Sequence, residues 1–157
     1  TGETFTTWSC PGTENGFDLV ISEDAGRFLV SFGKPAFGSR ASTQALKAFN
    51  TLFKSKDANA TVEWRLERKG SRWVPFATIL RYHTHSDASG ATVEGEVLVV
   101  SKVGGGDGGD SCHVAYVDAL ANADADEIAL RAADQLAAAF DCRKEPVVIG
   151  KAGKSPM

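Results

Sequence analysis

Apolar positions along this chain change period several times, and each change marks an element. The strictest alternation runs over 60–68. There Val62, Trp64 and Leu66 fall on one side and Glu63, Arg65 and Glu67 on the other, the period-two pattern of a half-buried strand. Lys69, Gly70 and Ser71 supply a turn, and 72–82 reads as a more apolar returning strand in which Pro75 marks a bulge or an edge. Residues 17–22 and 27–32 read as a hairpin around the turn 23–26. Residues 95–103 form a strand with an apolar centre, and 112–118 form another.

Two segments switch to helical spacing. Ser42 stands as an N-cap before the stripe Ala45, Leu46, Phe49, Leu52 and Phe53. Asp124 and Glu127 resemble a capping box ahead of a helix over 124–140, with Ile128, Ala132, Leu136, Ala139 and Phe140 as its apolar stripe. Beyond Cys142 two prolines and scattered basic residues predict a mobile tail, with a short edge pairing over 147–149. The sum is an α+β fold: an antiparallel sheet of about five to seven strands with two helices packed on it. The expected organisation is a single globular domain over 1–142 and a C-terminal tail over 143–157.

Cys112 and Cys142 sit at the two ends of the last strand–helix unit. The strand over 112–118 spans about 20 Å, and the helix over 124–140 about 25 Å. A helix packed back along the strand returns Cys142 to the level of Cys112, so a disulfide is expected to tie the C-terminal helix to that strand. Two buried free thiols are the alternative; a metal site is disfavoured because no CxxC or CxxH pair exists. A disulfide points to an oxidising compartment. Cys10 is then left over. The chain opens on Thr1 with no charged and apolar leader pattern. The expectation is a trimmed chain in which Cys10 pairs with a cysteine in missing upstream residues, with a free thiol or an intermolecular bridge as alternatives.

Composition narrows the partners. At 157 residues, 43% hydrophobic and 24% charged, the chain is an ordinary globular one, and no apolar run is long enough to span a membrane. A formal charge of −3 argues against nucleic acid as the partner. The charge is uneven, however: residues 40–85 hold nine Lys/Arg against three Asp/Glu, and the remainder holds eight against seventeen. Arg65, Arg68, Lys69, Arg72 and Arg81 could therefore present a basic surface to an anionic envelope component or an acidic protein. Solvated strand faces are the competing reading.

Catalytic motifs are thin. His83, His85 and Asp87 resemble the start of the HxHxDH run of the metallo-β-lactamase fold, but the next histidine of that motif falls on Ala88 and the only other histidine is His113. These three residues are weak metal candidates and the basis of an alternative reading as a metal-dependent hydrolase. The run from Gly105 to Asp110 matches a single GGxGxD calcium repeat, a site that needs stacked copies. Gly153, Lys154 and Ser155 lack the upstream glycine and the following helix of a phosphate loop. Asp110, Ser111 and His113 are adjacent, but Ser111 is in no nucleophile elbow. No catalytic residue and no cofactor are expected.

The stretches CPGTENGFDLVISEDAGR and SCHVAYVDALANADADEIALRAADQLAAAFDC, with PFATILRY between them, resemble small exported alphaproteobacterial proteins without an assigned function. That resemblance implies a removed signal peptide, a periplasmic or secreted location, and a further cysteine upstream that would suit Cys10. The leading expectation is an exported binding or interaction domain that is not an enzyme. A structural envelope protein is the remaining alternative.

Overall fold

The computed structural model describes residues 6–13, 15–87, 90–105 and 109–157. Its elements run β1 (Thr6–Pro11), β2 (Asp18–Asp24), β3 (Arg27–Lys34), a 3-10 turn (Arg40–Thr43), β4 (Phe49–Thr51), β5 (Val62–Lys69), β6 (Arg72–Ser86), β7 (Val93–Lys102), β8 (Gly104–Gly105), β9 (Cys112–Asp118), α1 (Ala125–Ala132) continued by a π-helical segment (Ala133–Ala137), and β10 (Val147–Val148). They form two sheets. One has the order β1-β2-β3-β8; the other has the order β10-β9-β7-β6-β4, with β5 also on β6. Both are mixed, because β3 pairs with β8 and β9 with β10 in parallel while the other ladders are antiparallel.

The larger sheet is the middle layer. One face carries Leu80, Tyr82, Val97 and Val99, which pack against Leu19, Val30 and Phe32 of the smaller sheet. The other carries Ala77, Ile79, Leu98, Val100 and Val117, which pack against Ala125, Ala129, Ala132, Ala133 and Ala137 of the helical segment. Alternate residues along β6 and β7 thus serve two cores, which is why these strands read as nearly continuous apolar runs.

The architecture is α+β and mostly sheet, but it has one helix where two were expected. The stripe Ala45 to Phe53 is not helical. Ser42 Oγ donates to Ser39 O and Thr43 Oγ1 to Arg40 O, closing a single turn. Gln44 Oε1 then accepts the His113 N–H, and Asn50 Oδ1 accepts the Phe28 N–H, holding the chain extended between the sheets. Asn50 and Leu52 are buried while Phe49 and Phe53 are exposed, so the period there is two. The expected single antiparallel sheet is likewise replaced by two mixed sheets. β1 was not foreseen: its six residues carry no strong alternation.

The helix also differs in detail. Asp124 makes no side-chain cap, and the closely packed face is the alanine one, with Leu136 left 38% exposed. The π turn rotates the phase of the stripe, and alanines let the helix approach the sheet closely. Residues 143–157, expected as a tail, run back over the sheet: β10 pairs with β9 and Ser155 is buried. The Cys112–Cys142 disulfide is formed, with Cα atoms 5.6 Å apart. Cys10 is free and half-buried, packed against the core between the sheets.

Candidate functional site

The first candidate is the end of the larger sheet around His83 and His85. Hairpin register places His83 opposite Glu96 and His85 opposite Glu94, so the four side chains share one face. With Thr51, Phe53, Lys54 and Leu120 they line an open cavity of about 590 Å³. His83 Nδ1 lies 3.8 Å from Glu96 Oε1, too long for a hydrogen bond. Glu96 is engaged by Arg81 at 2.8 Å, and Arg81 also reaches Asp126 at 3.1 Å. The His85 ring stacks on Phe49, which has the Arg27 guanidinium over it. Asp87 does not line this cavity and accepts a hydrogen bond from Thr92 Oγ1. The expected trio is therefore split, and among the described residues no group of three His, Cys, Asp or Glu is gathered to hold a metal ion. Glu94 and Glu96 were missed in the sequence, although mirroring 83–85 across the hairpin loop would have found them. The GGxGxD run has its centre, 106–108, outside the described residues.

The second candidate is the basic surface. Three of its five cations are already paired. Arg65 grips both oxygens of Asp134, Lys69 meets Glu67 at 3.2 Å, and Arg81 is held by Glu96 and Asp126. Among the described residues Arg68 donates only to Gly70 O and Arg72 makes no ion pair. These two sit at the tip of the β5–β6 hairpin. β7 covers β6 only from Ala77 onward, so residues 66–73 continue as a two-stranded ribbon whose base is held by Val74 on the core between the sheets and by Asn15 Nδ2, which donates to Trp73 O at 2.8 Å. Arg68 stands directly across from Trp73, with Leu66 two residues back on the same side. Trp73 is 56% exposed and Leu66 45% exposed. The ribbon thus joins uncompensated cations to an aromatic and an aliphatic side chain in water.

Ser111 and His113 do not form a catalytic pair. Ser111 Oγ accepts the Gly104 N–H at 2.8 Å, and His113 Nδ1 meets the Tyr116 hydroxyl at 2.8 Å. His113 is fully buried and its Nε2 has no partner among the described residues. Burial lowers its pKa to about 4 from an ordinary 6.5. Between those values the unfolded chain binds a proton that the folded chain refuses. Stability is therefore expected to hold above pH 6.5 and to fall by on the order of 3 kcal/mol as the pH drops to about 4. Denaturant titrations of wild type and His113→Gln across that window check it: the variant should lose the slope that one proton contributes.

The chain matches no protein-family model, no curated protein and no solved structure. No helix among the described residues is long and apolar enough to cross a membrane.

Proposed function

We propose that this chain is an exported binding domain, not an enzyme, which docks on an anionic lipid surface of the envelope through the β5–β6 ribbon. One observation carries the reading: Trp73 and Leu66 stand exposed beside Arg68, with Arg72 at the same tip. An indole and an aliphatic chain suit the boundary between headgroups and acyl chains, and each nearby cation adds roughly 1 kcal/mol of attraction to anionic headgroups. The Cys112–Cys142 disulfide supports a periplasmic or secreted location, as does the resemblance to exported alphaproteobacterial proteins. The hydrolase reading on His83, His85 and Asp87 has no gathered ligand set in its favour.

The test is co-sedimentation with phosphatidylglycerol-containing vesicles and with phosphatidylcholine alone. Binding is expected only to the former, weakening as salt shortens the screening length below about 10 Å. The double variant Arg68→Glu with Arg72→Glu should lose at least about tenfold in affinity with an unchanged thermal midpoint, because both side chains are exposed. Binding that survives charge reversal or ignores salt would defeat the proposal.

A further inference from the structure

We infer that Asn59 is an acceptor for an N-linked glycan in the folded protein, its side-chain amide joining an oligosaccharide delivered on a polyprenyl diphosphate. Asn59, Ala60 and Thr61 form the chain's single N-x-S/T sequon, an acceptor pattern of surface loops in exported proteins. The other three asparagines are used by the fold. Asn15 Nδ2 donates to Trp73 O, Asn50 Oδ1 accepts the Phe28 N–H, and Asn122 Nδ2 donates to Asp118 O and Lys151 O. The Asn59 amide has no hydrogen-bond partner among the described residues, and neither has the Thr61 hydroxyl. Asn59 therefore has no structural task that competes with modification.

Local structure presents both groups to an enzyme. A turn closed by the Ala58 N–H on Ser55 O at 3.2 Å leads into an irregular stretch ahead of β5. Burial alternates there: Ala60 and Val62 rest on the core between the sheets, while Asn59 and Thr61 are exposed. Asn59 and Ala60 make no backbone hydrogen bond among the described residues, so the stretch can bend into a transferase without breaking a ladder. Bacterial-type oligosaccharyltransferases also require an acidic residue two positions before the asparagine. Asp57 stands there, exposed and without an ion pair among the described residues. In the transfer the bond from the anomeric carbon to the diphosphate oxygen breaks and a bond to Asn59 Nδ2 forms. Polyprenyl diphosphate leaves with the electron pair, and the amide gives one proton to solvent. β5 spans about 25 Å between this stretch and the ribbon tip, so a glycan here leaves the ribbon clear. The inference rests on the export proposed above, not on lipid docking.

The folded, disulfide-bonded protein is incubated with a purified bacterial-type oligosaccharyltransferase and its lipid-linked oligosaccharide, and the intact mass is followed. The mass should rise by a single glycan per chain. Asn59→Gln and Thr61→Ala should each abolish the addition, Thr61→Ser should keep it, and Asp57→Ala should slow it. All four variants should melt with the wild type, because these side chains are exposed and unbonded. A peptide map of the chain isolated from its own envelope should show the same modification at Asn59. Vesicle binding by the same variants reads the ribbon alone, so the two proposals fail separately. A folded protein that stays unmodified, a native chain bare at Asn59, or a glycan that persists in Asn59→Gln overturns the inference.

Discussion

Replacing Asp118 by alanine is expected to cost the fold more than about 4 kcal/mol and to release the C-terminal segment. Asp118 is fully buried at the end of β9. Its Oδ1 accepts the N–H groups of Leu120 and Ala121 and the Ser155 hydroxyl at 2.6 Å, and its Oδ2 accepts the N–H groups of Lys154 and Ser155. Burial by itself pushes the carboxyl pKa up, but the bonds from Ser155, Lys154 and Ala121 outweigh it and hold the group below its ordinary 3.8. One carboxylate thus closes the turn before α1 and fastens residues 154–155 across the sheet. The strap crosses at Gly95, where a Cβ would come within 2.6 Å of Ser155 Cα. Alanine leaves four N–H donors unpaired, each costing about 1–3 kcal/mol if it stays buried. The result is read as a lowered denaturation midpoint together with rapid tryptic cleavage at Lys151 and Lys154. The same carboxylate contributes stability that is present above its unfolded value near 3.8 and is lost as the pH falls through the lower folded one. An Asp118→Ala protein with wild-type stability and an intact strap would contradict the assignment.

Removing the Cys112–Cys142 bridge, by Cys142→Ser or by reduction, is expected to cost about 3–4 kcal/mol. The bridge closes 30 residues of sequence that contain β9, the turn at Asp118 and the whole helical segment. Its effect is therefore to limit the unfolded chain over the same region that Asp118 organises in the folded one. Cys112 is fully buried while Cys142 lines an open cavity, so reductant reaches the pair from the Cys142 side. Equilibrium unfolding with and without reductant measures the difference. Because the helix is still held on the sheet by five buried alanines, the reduced protein should remain folded at 25 °C; a loss below about 1 kcal/mol would show that helix docking alone orders the unit.

Much of this was legible in the sequence. Strict alternation over 62–67 marked β5, and matching strand and helix lengths joined Cys112 to Cys142. The failures have physical causes. Ala45, Leu46, Phe49, Leu52 and Phe53 fit a helical stripe by spacing, but only Phe49–Thr51 is regular and it is strand, because the side chains of Gln44 and Asn50 bond to distant backbone and hold the chain extended. The strap at Ser155 depends on a contact 37 residues back along the chain, which local pattern does not reveal. The candidate site was half legible. The basic run was visible, but its partial neutralisation by Asp134, Glu96 and Asp126 comes from tertiary pairing, and it leaves Arg68 and Arg72 beside Trp73 without an ion pair among the described residues.

The most direct test of the ribbon's role uses tryptophan emission in a Trp8→Phe variant. Trp64 is half-buried and packs edge-on against Phe32, with ring centroids 5.4 Å apart, so it emits as a background common to both vesicle types and the vesicle-dependent change reports Trp73. On anionic vesicles carrying brominated acyl chains its emission should shift to the blue and be quenched, with neither change on zwitterionic vesicles. Vesicle binding that leaves Trp73 unquenched, or equal quenching on both lipids, would contradict docking through the ribbon.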